Sequence, residues 1–184
     1  GLNWDLLNDG IGNSKNTRSL LLSHRTPPVM MTGVRDDAET AVRAGIKYIE
    51  FAELPETDAE TIDEYLKSLE PVKSPFLIDG KLSESARRGE EIFVRADCIN
   101  CHSGPLFTNL KKYNVGTGVG REIDTEFDTP TIVENWRTAP YLHDGRAATM
   151  KEVLTIFNPE DKHGITSNLS SEEIDDLVEF ILSQ

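Results

Sequence analysis

The pentapeptide Cys98-Ile-Asn-Cys101-His102 constrains this chain more than any other feature. Its spacing sets two thiols one turn apart with an imidazole directly after them. Each thiol can then add to one vinyl group of a haem while the histidine reaches the iron as its proximal ligand. Other uses of such a pair fit less well. The alternatives are a disulfide or a thioredoxin-like redox pair, and the latter expects a neighbouring βαβ pattern, whereas the flanking segments carry helical signals. A structural zinc site needs four ligands, and both cysteines of the chain are already in the pentapeptide, with no second Cys/His pair at suitable spacing. One covalently attached haem c is therefore expected, on Cys98, Cys101 and His102.

A chain of 184 residues, 38% of them hydrophobic, can bury one good core or two small ones. No apolar run approaches the roughly 18 residues of a membrane span. The first residues, Gly1-Leu-Asn-Trp4, show no Met, basic n-region or apolar h-region, so Gly1 is not expected to begin the gene. Any export signal has been removed or lies outside this sequence. A net charge of −13 argues against nucleic acid, whose phosphates need a surplus of Lys and Arg. That charge suits solubility, and it also suits an acidic face that steers a basic redox partner protein. Because bacteria attach haem c outside the cytoplasm, a periplasmic or extracellular location is expected.

The rest of the pattern reads as all-α. Ser83 caps a helix to Arg95 whose face is Ala86, Gly89, Glu90, Ile92 and Phe93, with Gly89 permitting close helix approach. Ser170 and Glu173 form a capping box before Ile174, Leu177, Val178 and Ile181 at helical spacing. These two helices should cross, with Phe93 and Phe180 in contact. Thr149 with Glu152 opens a short helix through Val153, Leu154 and Phe157, ended by Asn158-Pro159. Asp36 with Glu39, and Thr57 with Glu60, announce helices near 37–45 and 58–69. Residues 112–128, with Gly116-Thr-Gly-Val-Gly120, lack the strand and helix that a phosphate-cradling loop needs and read as a plain loop.

Positions 112 apart repeat one another. Thr17 matches Thr129, Arg25-Thr26 matches Arg137-Thr138, Pro28 matches Pro140, Gly33 matches Gly145, and Ile62-Asp63 matches Ile174-Asp175. The pattern indicates duplication. At that offset the first copy of the cysteine motif would fall before residue 1, so the first half is the tail of a unit without its own haem motif.

Residues 137–149, Arg137-Thr-Ala-Pro140-Tyr-Leu-His143-Asp-Gly145-Arg146-Ala-Ala-Thr149, follow Thr129-Pro130 and the cysteine motif. This arrangement resembles the C-terminal half of bacterial di-haem cytochrome c peroxidases and their methylamine-dehydrogenase-maturation relatives. The resemblance is strong over about 80–184 and weak over 16–69. It implies a partial, haemless cytochrome c-like repeat at 1–72, a linker at 73–81 and a haem-binding cytochrome c domain at 82–184. In that family two such domains pack together, the C-terminal haem relaying electrons and the N-terminal haem reducing peroxide.

Carried over residue by residue, the resemblance puts the family's second axial ligand, Met or Tyr, at Phe157, which cannot coordinate iron. His163 in Asp161-Lys-His163-Gly164 is the first replacement, delivered by a loop, with Met150 behind it because Met150 also falls at core spacing with Val153 and Leu154. His143 matches a family histidine near the haem and is expected to hydrogen-bond nearby. His24, in the haemless half, has no assigned role. Asp128 stands where relatives often carry a basic residue that could balance the haem propionates, leaving Arg137 and Arg146 as candidates for that work. The family's interdomain calcium maps onto Asn16, Thr138 and Pro140, oxygen donors suited to a hard cation. Its bridging tryptophan maps onto Met31.

Two functions of different class follow. The first is a c-type cytochrome that carries electrons through one six-coordinate haem. The second is a peroxidase-type oxidoreductase, or a fragment of a larger di-haem peroxidase, that reduces hydrogen peroxide at an open iron, although no carboxylate can be assigned beside such an iron. A third reading makes residues 1–70 an interaction domain that docks the haem unit onto a larger assembly, and other domains of a longer polypeptide stand beside the redox protein as candidate partners.

Overall fold

A computed structural model describes residues 3–4, 12 and 15–184, so the expectation about Gly1 lies outside the described residues. The regular structure of the described residues is mostly helical. Its described helices are α1 (Ala38–Tyr48), α2 (Glu56–Lys67), α3 (Glu84–Arg95), α4 (Met150–Leu154) and α5 (Ser171–Leu182). Sheet is confined, among the described residues, to two-residue strands: β1 (Asn3–Trp4) pairs antiparallel with β2 (Lys15–Asn16), and β3 (Lys112–Tyr113) with β4 (Phe127–Asp128).

The core forms where α3 crosses α5. Both helices start as their sequences require. Ser83 Oγ accepts from Ala86 N at 3.0 Å, and Ser170 and Glu173 complete a reciprocal capping box. Their apolar stripes meet with Ile92, Phe93, Leu177, Phe180 and Ile181 buried, each worth about 1.5–3 kcal/mol over exposure. Phe93 and Phe180 meet edge to face with centroids 5.2 Å apart. Gly89 makes the crossing possible, since a Cβ there would lie 2.0 Å from the carbonyl oxygen of Asp176. Asp176 in turn accepts from Ser85 Oγ at 2.6 Å and from Arg88 Nε and Nη2 at 2.6 and 2.7 Å.

Helix α4 adds Met150, Val153 and Leu154 to this core. It ends at Leu154, earlier than the sequence suggests, and Phe157 N turns back to Glu152 O at 3.0 Å. The side chain of Asn158 builds a loop of its own and so competes with further helix. Two other boundaries also differ. Asp37, not Asp36, caps α1 by accepting from Thr40 N at 2.7 Å. Helix α2 begins directly after Pro55, which leaves Thr57 inside the first turn and no side-chain cap.

In the first half, His24 Nε2 meets Asp63 Oδ1 at 2.9 Å and Arg43 Nη1 meets Asp63 Oδ2 at 2.5 Å, joining α1, α2 and the 3-10 turn Ser23–Arg25. That network gives His24 a structural place. Backbone features recur 112 residues apart. Leu22 and Glu134 have φ of 62° and 60°, Met30 and Leu142 of 74° and 69°. The bridge Val29–Arg35 corresponds to Tyr141–Ala147. Non-glycine residues seldom take positive φ, so the paired exceptions are specific. Between the halves, Val72 N donates to the buried Glu134 carboxylate, and Ser74 Oγ donates to Leu182 O at 2.5 Å. The segment is thereby pinned to α5 and to the loop before the 3-10 turn Asn135–Arg137.

Candidate haem site

A cavity of about 290 Å³ runs between the two halves, walled by Cys98, Cys101, His102 and His163 from the second and by Asn16, Arg18 and Met31 from the first. Helix α3 leads into it. Asp97 takes φ 61° and turns the chain into the 3-10 turn Cys98–Asn100, and His102 N closes the turn on Cys98 O at 2.9 Å. Both cysteines are free thiols. Burial pushes the Cys98 thiol up to about 11, and Cys101 also rises. Thiol–disulfide oxidoreductases depress such a pair instead.

The His102 imidazole lies deep in the protein, and burial lowers its pKa against the pull of the Phe107 and Pro130 carbonyls. Its Nδ1 meets the Phe107 carbonyl at 3.0 Å. That bond places the proton on Nδ1 and leaves Nε2 as the nitrogen for a metal.

His163 arrives from a loop that Asn158 holds. The buried Asn158 amide donates to His163 O at 3.2 Å, Gly164 O at 2.8 Å and Thr166 Oγ1 at 2.9 Å, and accepts from His163 N at 2.8 Å. Gly164 takes φ +83°, and Ile165 N donates to Ala96 O at 2.9 Å, so the loop is sewn to the end of α3 beside Cys98. Burial, with His102 nearby, pushes His163 down to about 4, and its Nδ1 is buried without a hydrogen-bond partner. The neutral imidazole that results is the form that binds metals. Both residues line the cavity.

Their ring centroids are 6.3 Å apart. With a metal–nitrogen bond of about 2.0–2.1 Å and about 1.1 Å from nitrogen to ring centre, two imidazoles on opposite sides of one ion have centroids about 6.3 Å apart. The donors present suit a covalently held haem: two free thiols, an imidazole whose Nδ1 bond leaves Nε2 free for a metal, and a second imidazole with its ring centre 6.3 Å from the first.

The other sequence candidates divide. Met150 and His143 line the cavity. Met150 also belongs to the core cluster, and Phe157 packs at its edge. His143 Nε2 meets Glu122 Oε2 at 3.1 Å, both side chains being buried, and its ring stacks on Phe127. Asn16, Thr138 and Pro140 converge on the wall, where Asn16 Nδ2 donates to Pro140 O at 2.5 Å. Arg137 and Arg146 do not line it. Arg137 pairs with Glu134, and Arg146 pairs with Asp144 at 2.7 Å and also donates to Thr117 O. Local carboxylates have captured both guanidinium groups. The arginine that does face the cavity is Arg18, whose Nη1 meets Asp128 Oδ2 at 3.2 Å. Sequence reasoning missed both Arg18 and Asn158. For Arg18 no local signal exists, because its partner is 110 residues away.

Residues 86–184, a little more than half of the chain, match the family model described as cytochrome c. The chain is 27% identical to hydrazine synthase subunit gamma of Kuenenia stuttgartiensis, over 98% of this chain and 67% of that protein. It is 29% identical to methylamine utilization protein MauG of Methylophilus methylotrophus, over 55% of this chain and 37% of that one. Against cytochrome c551 peroxidase of Nitrosomonas europaea the identity is 22%, over 97% and 59%. The chain thus spans about two thirds or less of the length of these relatives. Among solved structures, a hydrazine synthase of Kuenenia stuttgartiensis superposes with a TM-score of 0.89 at 27% identity, covering 100% of this chain and 76% of that one. A MauG-like protein associated with microbial copper homeostasis superposes at 0.73 with 15% identity, covering 94% and 74%, a likeness of fold.

Proposed function

The chain belongs to the cytochrome c family, and from that membership we propose that it carries electrons through one haem c bound by Cys98, Cys101 and His102, with His163 as the second axial ligand. It is homologous to hydrazine synthase gamma, MauG and the cytochrome c peroxidases, consistent with a di-haem cytochrome c peroxidase-like family. A cytochrome c domain implies covalent haem c. The observation that carries the proposal is the 6.3 Å spacing of the His102 and His163 rings. Bound there, the haem supplies a one-electron ferric/ferrous couple. The protein's part is to hold both imidazoles neutral and fixed, so that little rearranges when an electron passes.

Residues 1–72 are read as a partial, haemless cytochrome c-like repeat, joined by 73–81 to the haem domain at 82–184. The positive-φ and bridge pairs 112 apart support this reading. The first repeat serves the haem of the second by supplying Asn16, Arg18 and Met31 as wall. Arg18, the arginine on the cavity wall, is placed to balance propionate charge in place of Arg137 and Arg146 while it also pairs with Asp128. A calcium ion held by Asn16, Thr138 and Pro140 would displace the Asn16–Pro140 hydrogen bond, and its removal by chelator should lower the melting temperature. The net charge of −13 suits a basic, one-electron redox protein as partner, in the periplasm or outside the cell. Among the described residues no helix is long and apolar enough to cross a membrane.

The test is stoichiometric. A pyridine haemochrome spectrum with intact-protein mass should give one covalent haem per chain, lost in the Cys98→Ala, Cys101→Ala double variant. Absence of covalent haem, or a second haem, would overturn the reading. The second reading, reduction of hydrogen peroxide by this chain or a larger di-haem protein that contains it, draws on the homology to cytochrome c551 peroxidase. It requires an open iron position, which His163 would close.

A further inference from the structure

We propose that Asp128 is a proton-binding site that couples electron uptake at the haem to uptake of one proton. The inference rests on the haem reading above. Asp128 is 7% exposed and lines the same cavity as His102 and His163. Its backbone is fixed on both sides, by the β3–β4 pairing and by donation of its N–H to Met31 O at 2.9 Å.

The charged groups that face it are few. Arg18 comes from the first half, and Lys112 lies opposite on β3. Asp97, Lys162 and His143 stand elsewhere on the cavity wall. Arg18 is a divided partner, because the same Nη1 that meets Asp128 at 3.2 Å donates to Met30 O at 3.2 Å and its side chain stays 32% exposed. Water therefore screens its attraction. Burial outweighs both cations and raises the carboxyl to about 6. A buried carboxyl in the wall of the cavity that would hold the haem responds to the charge of the group bound there.

The step balances simply. With haem bound, one electron from a one-electron donor protein would take ferric to ferrous iron and remove one unit of positive charge from the cavity. Asp128 then takes one proton from water and its carboxylate becomes a carboxylic acid. When the electron leaves, the O–H bond breaks and the proton returns to water. By linkage, electron affinity falls as pH rises between the two carboxyl pKa values.

The experiment measures midpoint potential against pH for the haem-loaded wild type, Asp128→Asn and Arg18→Gln, with reduced-minus-oxidised infrared spectra of each. In the wild type the potential should fall with pH near neutrality, towards a limit of about 59 mV per tenfold change in proton activity. A protonated-carboxyl band should appear on reduction. Asp128→Asn should abolish slope and band together. Arg18→Gln should move the sloping window to higher pH, a result that does not depend on the first variant folding. A flat wild-type potential, or a slope that survives in Asp128→Asn, overturns the proposal. If the ferric wild type is low-spin while its potential is flat, the proton site fails alone. If it carries no covalent haem, both readings fail.

Discussion

His102 and His163 face each other across the cavity with ring planes tilted by 39° and centroids 6.3 Å apart. One follows directly from α3 and the other is brought back by a loop, yet both end deep in one cavity with lowered pKa values. Neither ring is placed by chance packing. Phe107 orients the first through Nδ1, and Asn158 fixes the backbone of the second at both its N–H and its carbonyl.

The Asn158 clamp predicts a variant with two linked defects. Asn158→Ala removes four hydrogen bonds from a buried loop, at about 1 kcal/mol each before relaxation, so a loss of about 2–4 kcal/mol is expected in denaturant unfolding. The ferric spectrum should also gain a high-spin fraction. Equal stability and an unchanged spectrum would show that the loop holds His163 without this side chain.

Gly89→Ala tests the helix crossing. The added Cβ would meet Asp176 O at 2.0 Å, Asp176 C at 2.6 Å and Phe180 Cβ at 2.8 Å, and the first two are backbone atoms that cannot step aside. The helices must separate, which should cost about 3 kcal/mol or more. Thermal unfolding followed by circular dichroism checks it.

Asp176 gives the fold an acid sensitivity of definite sign. Hydrogen bonds from Arg88, then from Ser85, hold its carboxyl below the usual carboxylate range. The unfolded chain, at about 3.9, therefore binds the proton more readily. The stability contributed by Asp176 is fully present above that pH and is lost as pH falls through the depressed folded value. Unfolding measured between pH 6 and pH 3 should show a decline in the wild type that is shallower in Asp176→Asn, which is itself less stable at pH 7. Parallel declines would place the acid sensitivity elsewhere.

Features carried by short-range pattern were legible in the sequence. The cysteine motif, the caps at Ser83 and Ser170, and Gly89 and Phe93 on α3 with Phe180 on α5 all follow from spacing within a few residues. What could not be read depends on the two halves meeting. Arg18 reaches Asp128 across 110 residues, and nothing beside either residue announces the other. Arg137 and Arg146 attract attention as free cations, yet each stands within three residues of a carboxylate, Glu134 and Asp144, that takes it. That local pairing was visible. Asn158 reads from the sequence as a helix stop before Pro159, but α4 already ends at Leu154, and the Asn158 side chain instead organises the loop through Gly164 and Thr166. A polar residue at a helix end, five positions before a histidine in a glycine-bearing loop, was the available signal.

The central claim is six-coordinate haem with two histidine ligands, and the ferric optical and electron paramagnetic resonance spectra test it most directly. They are recorded on the wild type and on His163→Ala, each before and after adding cyanide. The account predicts a low-spin wild type that ignores cyanide and a high-spin variant that binds it. A high-spin wild type that shifts with cyanide would contradict the His163 assignment and bring peroxide chemistry forward.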